Sequence, residues 1–78
     1  MKYTVKMWDV GRTKASAEKT FDHEPDYSDL YGMTIGHLAS SVVEFFTDAE
    51  QLPITDGRII VGGFRPVGHF SIEMEGAA

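Results

Sequence analysis

Tyr3, Val5 and Met7 alternate with Lys2, Thr4, Lys6 and Trp8 at the start of the chain, and a period of two marks a strand with one covered and one open face. Trp8 and Val10 fall on the polar side of this alternation, so either a bulge re-aims them or that face is partly covered. Gly11-Arg12-Thr13-Lys14 punctuates the pattern. Ala15, Ala17, Lys19 and Phe21 then share one face of a second strand, which makes the first 21 residues a β-hairpin with Lys19 snorkelling at its edge. Residues 22–33 hold acids, Pro25 and Gly32, and read as a loop with room for one helical turn started by Ser28. From Thr34 as N-cap, the apolar residues Ile35, Leu38, Ala39, Val42, Phe45, Phe46 and Ala49 recur at spacings of three and four. This stripe predicts an α-helix over residues 34–49, ended by Pro53. Asp56-Gly57 reads as a turn, Ile59-Ile60-Val61 as a central strand, and residues 62–68 as a further turn. Phe70, Ile72 and Met74 alternate with His69, Ser71, Glu73 and Glu75 in a last strand before a frayed tail, Gly76-Ala77-Ala78. The order ββαββ predicts an α+β fold in a single domain over residues 1–78, with one amphipathic helix packed on a mainly antiparallel four-stranded sheet.

Composition narrows the function. A chain of 78 residues hides only about 60% of its unfolded surface, which excludes a two-domain enzyme. With zero cysteines there is no disulfide framework, thiolate nucleophile or cysteine-ligated metal. No apolar run approaches the roughly 20 residues of a membrane helix, and the first residues lack the apolar core of a signal peptide. A soluble, cytoplasmic protein that needs no cofactor and touches no membrane is the expectation.

Charge changes the picture more than composition does. The formal net charge is −5, but residues 1–20 carry five bases against two acids. Residues 21–57 carry Asp22, Glu24, Asp26, Asp29, Glu44, Asp48, Glu50 and Asp56 with no Lys or Arg. Wherever this stretch folds onto one surface it creates a negative potential that favours basic partners and disfavours nucleic acid. Tyr27 and Tyr31 stand among these acids, and rigid amphipathic tyrosines with carboxylates suit an Arg/Lys-rich surface. Asp22, Glu24, Asp26, Tyr27, Asp29, Tyr31, Asp48 and Glu50 are therefore the candidate partner-binding residues. The alternatives are a solvated acidic face, with Tyr31 capping the core.

Catalytic and metal chemistry find less support. Asp22, Glu24 and Asp26 have the every-second-residue spacing of a calcium loop, but Tyr27 and Met33 stand where its glycine and closing glutamate belong. His23, His37 and His69 make no H-x-x-x-H pair. Ser40 and Ser41 lack a nucleophile elbow, and Gly62-Gly63 opens no helix that would cradle a phosphate. No catalytic residue and no metal ligand is assigned. A nucleic-acid-binding hairpin built on Lys2, Lys6, Arg12, Lys14, Lys19 and Trp8 is the alternative function, and a structural subunit pairing through exposed strand edges is a third.

The segment Tyr31-Gly32-Met33-Thr34-Ile35, the helix through Val42-Val43-Glu44, and Gln51-Leu52 followed by Asp56-Gly57-Arg58-Ile59-Ile60-Val61 together resemble the small acidic anti-CRISPR proteins that phages direct against type I systems. The resemblance covers roughly residues 20–61. The chain departs from that pattern in its strand over 69–75, its basic first hairpin, and Ile59 where an aromatic residue is expected. The resemblance implies a non-enzymatic inhibitor in the host cytoplasm that binds no nucleic acid directly. Its acids Asp22, Glu24, Asp26, Asp29, Asp48 and Glu50 would occupy a basic surface of a type I CRISPR effector complex that otherwise holds crRNA or target DNA.

Overall fold

The computed structural model describes residues 2–38 and 42–75. Strands β1 (Lys2–Val10), β2 (Ala15–Phe21), β3 (Val43–Phe46), β4 (Ile54–Val61) and β5 (Arg65–Glu75) form one antiparallel sheet in the order β2-β1-β5-β4-β3. One helix, α1 (Tyr27–Thr34), lies between β2 and β3 in the chain. The fold is mostly β. The four-stranded ββαββ arrangement expected from the sequence is therefore wrong on two counts, strand number and the place of the helix.

The error lies in residues 34–49. Val42, Phe45 and Phe46 satisfy a helical stripe, but a short apolar run matches either period, and its β-branched and aromatic residues favour a pleated surface. Val43–Phe46 pairs with Arg58–Val61 as the edge strand β3. Of the expected stripe, Ile35, Val42 and Phe46 are exposed, while Ala39 lies outside the described residues, as do Ser40, Ser41 and the 76–78 tail. Thr34, expected as an N-cap, is the buried last residue of α1, and its hydroxyl donates to Tyr31 O at 2.9 Å.

The helix starts at Asp26, about two turns before the expected cap Thr34, because its cap is built from acids. Asp26 Oδ1 accepts from Asp29 N at 3.0 Å, and Asp29 Oδ2 accepts from Asp26 N at 3.1 Å. This reciprocal box satisfies two of the amides that a helix start leaves without partners. His23 Nε2 also donates to Asp29 Oδ2 at 2.8 Å. The His23 bond, then the Asp26 amide, holds the Asp29 carboxyl below its ordinary value of 3.8. A depressed carboxylate contributes stability that is fully present above its unfolded value and is lost as pH falls through the folded one. Melting temperature should thus drop as pH falls below about 3.8, and Asp29→Asn should flatten that drop. Asp26→Ala should cost about 1 kcal/mol, about 4–8 °C for a domain of this size, read by thermal denaturation at neutral pH.

The covered face of the sheet holds the core. Val5, Met7, Phe21, Ile59, Phe70 and Ile72 are buried there, under Leu30 and Thr34 of α1. The bulge foreseen near Trp8 falls between Met7 and Val10, with Asp9 at φ +56°, and turns Val10 into the core. Two further boundaries move. Asp56-Gly57, expected as a turn, lies inside β4 opposite Phe70, and β5 begins at Arg65 rather than at His69.

Candidate functional site

The acidic segment is stretched across the covered face. It leaves β2, one edge of the sheet, after Phe21, and it ends where Tyr27 meets β3, the opposite edge. The Tyr27 hydroxyl donates to Val43 O, its ring stacks on Tyr31 at 6.0 Å, and it meets Phe45 edge-on at 5.7 Å. Phe45 in turn lies edge-on to Phe70 at 5.7 Å. The two tyrosines are thus the first links of an aromatic chain that fastens α1 to the core, and Tyr31 is partly buried by it. Tyr27 keeps 53% of its surface exposed, so the same ring can fasten the helix and still present a face to a partner.

The structure sorts the expected acids into three groups. Asp22 and Glu24 are exposed in the connection after β2. Asp26 and Asp29 are committed to the helix cap. Asp48 and Glu50 are exposed in the connection after β3, on the edge that Tyr27 reaches. The side chains of Asp22, Glu24, Asp48 and Glu50 form no ion pair among the described residues. The chain therefore brings Tyr27 and the connection holding Asp48 and Glu50 to the β3 edge, and leaves Asp22 near the other.

Phe46 is the residue of this edge that the helical stripe concealed. It is 47% exposed on the open face of the sheet, and with Asp48, Asp56, Arg58 and Ile60 it lines a shallow hollow of about 280 Å³. Its direct neighbour across β4 is Arg58. A strand reading of Val43–Phe46 would have found it, since alternation puts Val43 and Phe45 inward and Phe46 outward. Among the described residues no three His, Asp or Glu side chains gather in a metal-holding arrangement, and no helix is long and apolar enough to cross a membrane. A scan of protein-family models, a search of curated proteins and a search of solved structures each return no match.

Proposed function

We propose that the protein is a non-enzymatic binding module that docks its β3 edge on a basic protein surface and blocks what that surface would otherwise hold. The observation that supports this most is Phe46, half-exposed on the open face of this edge beside the carboxylates of Asp48 and Asp56, with half-exposed Tyr27 on the covered side of the same edge. Aromatic anchors within a charged rim are the usual composition of a binding hot spot. The partner that the sequence resemblance implies is the nucleic-acid-binding surface of a type I CRISPR effector complex. Complementary charge of this kind mainly accelerates encounter.

The test replaces Asp48, Glu50 and Asp56 together with Lys, sparing the capping residues Asp26 and Asp29, and follows association with a purified type I effector complex by surface plasmon resonance. Each exposed ion pair contributes only about 0–1 kcal/mol, so a multiple reversal is needed. Association should slow at least about tenfold at low salt, with a smaller change in dissociation, while circular dichroism stays that of the wild type. Phe46→Ala should instead speed dissociation. A wild-type protein that does not bind the complex, or a triple variant that associates at the wild-type rate, would overturn the reading.

A further inference from the structure

The sheet end opposite Glu73 and Glu75 carries different chemistry. The β1–β2 turn, the start of β5 and the segment after α1 meet there. The Gly11 amide donates to Val67 O at 2.9 Å, and a Cβ on Gly11, whose φ is +73°, would stand 2.6 Å from His37 O. Only glycine permits both the left-handed backbone and this approach. Together these segments line a groove of about 680 Å³ with Arg12, Lys14, Arg65, His37 and His69, against Asp9 as its one carboxylate. Lys6 is paired with Glu73 at 3.9 Å and Lys19 lies over the Phe21 ring, but Arg12, Lys14 and Arg65 form no ion pair among the described residues.

Aromatic rings adjoin these cations. Trp8 and His69 face each other across β1 and β5 on the open side of the sheet and stack at 5.8 Å with 15° between their planes. His69 is also part of the groove wall. Phe64, beside Arg65 at the tip of the β4–β5 turn, is 85% exposed, so packing gives no reason for an aromatic residue there.

We infer that this end of the sheet binds single-stranded nucleic acid, with Arg12, Lys14 and Arg65 holding phosphates in the groove while Trp8, His69 and Phe64 stack on bases. Unpaired cations call for an anion, and rings that keep surface in solvent, Phe64 almost wholly and Trp8 and His69 in part, call for a π-face. A single strand offers both, whereas a duplex keeps its base faces inside the stack. Part of the net charge of −5 lies far from this groove, in Glu73 and Glu75. From Arg65 to Glu75, β5 runs about 33 Å at about 3.3 Å per residue, and the screening length is about 8 Å at physiological salt. The acids at the far end are thus several screening lengths away from the groove. The inference is independent of the β3 edge.

Trp8 is the only tryptophan, so its emission reports base stacking directly. Titration with a 15-nucleotide oligothymidylate at about 50 mM salt should quench Trp8 and raise the anisotropy of the labelled strand, and a duplex of the same length should bind more weakly. Arg12→Gln with Arg65→Gln, both exposed, should weaken binding at least tenfold and lower the slope of log affinity against log salt by about 1.4, two contacts at about 0.7 each. Phe64→Ala should weaken it at least about fivefold. Three results would each overturn the inference. They are unchanged Trp8 emission and anisotropy at millimolar oligonucleotide, unaltered affinity of the double Gln variant, and displacement of the strand by polyglutamate at equal charge concentration.

Discussion

Phe70→Ala is expected to cost about 3–5 kcal/mol, the range for emptying a buried phenylalanine site. Phe70 is 2% exposed, pairs with Met7 across β1 and with Gly57 across β4, and receives the edge of Phe45. Few of these neighbours can close the gap, because β1 and β4 are held at fixed spacing on either side of β5 by backbone hydrogen bonds. Against the total stability of about 5–15 kcal/mol usual for a domain, the loss leaves a large unfolded population. The check is the denaturant midpoint of Phe70→Ala beside that of Ile35→Ala. Ile35 is 59% exposed, so its truncation should stay within about 0.5 kcal/mol. Equal losses from the two would return the core to the helical stripe and refute the sheet.

Gly57→Val should be the second large loss, at about 1–3 kcal/mol or more. An added Cβ at Gly57 would stand 2.3 Å from Phe70 Cε1 and 2.4 Å from its Cζ. The ring cannot retreat without disturbing Phe45 on its other contact. The glycine in β4 is thus there for close approach of a ring, a recognised reason for glycine inside a strand. A double-mutant cycle of Gly57→Ala with Phe70→Leu should give a coupling of about 0.5–3 kcal/mol, since the smaller side chain relieves the clash. Strictly additive losses would show that Phe70 does not lie over Gly57.

The candidate surfaces were legible in part. The acids of residues 22–29 and 48–50 are plain in composition, but which of them are free is not. Asp26 and Asp29 spend their carboxylates on a helix start, and the D-x-x-D spacing that announces this cap was in view within the acidic run. Trp8 stood out at once as an aromatic on a polar face. Its stacking partner His69 lies 61 positions away in the chain, and no local pattern links them.

Alternation over residues 2–10, 15–21 and 69–75 determined by itself the first hairpin, the final strand and most of the inward-facing residues of β1 and β5. That information is local, because the period of two belongs to the geometry of a single extended chain. The identity of Val43–Phe46 was a tertiary decision. A helix closes its hydrogen bonds within its own segment, but a strand needs a neighbour, and the unpaired edge of β4 supplied one. The same holds for charge. Sequence order put bases early and acids in the middle, yet the antiparallel order β2-β1-β5-β4-β3 brought Arg12, Lys14 and Arg65 to one end of the sheet. It left Glu73 and Glu75 at the other end, because antiparallel neighbours return the chain to the end it left, so charges distant in sequence meet wherever two turns share an end.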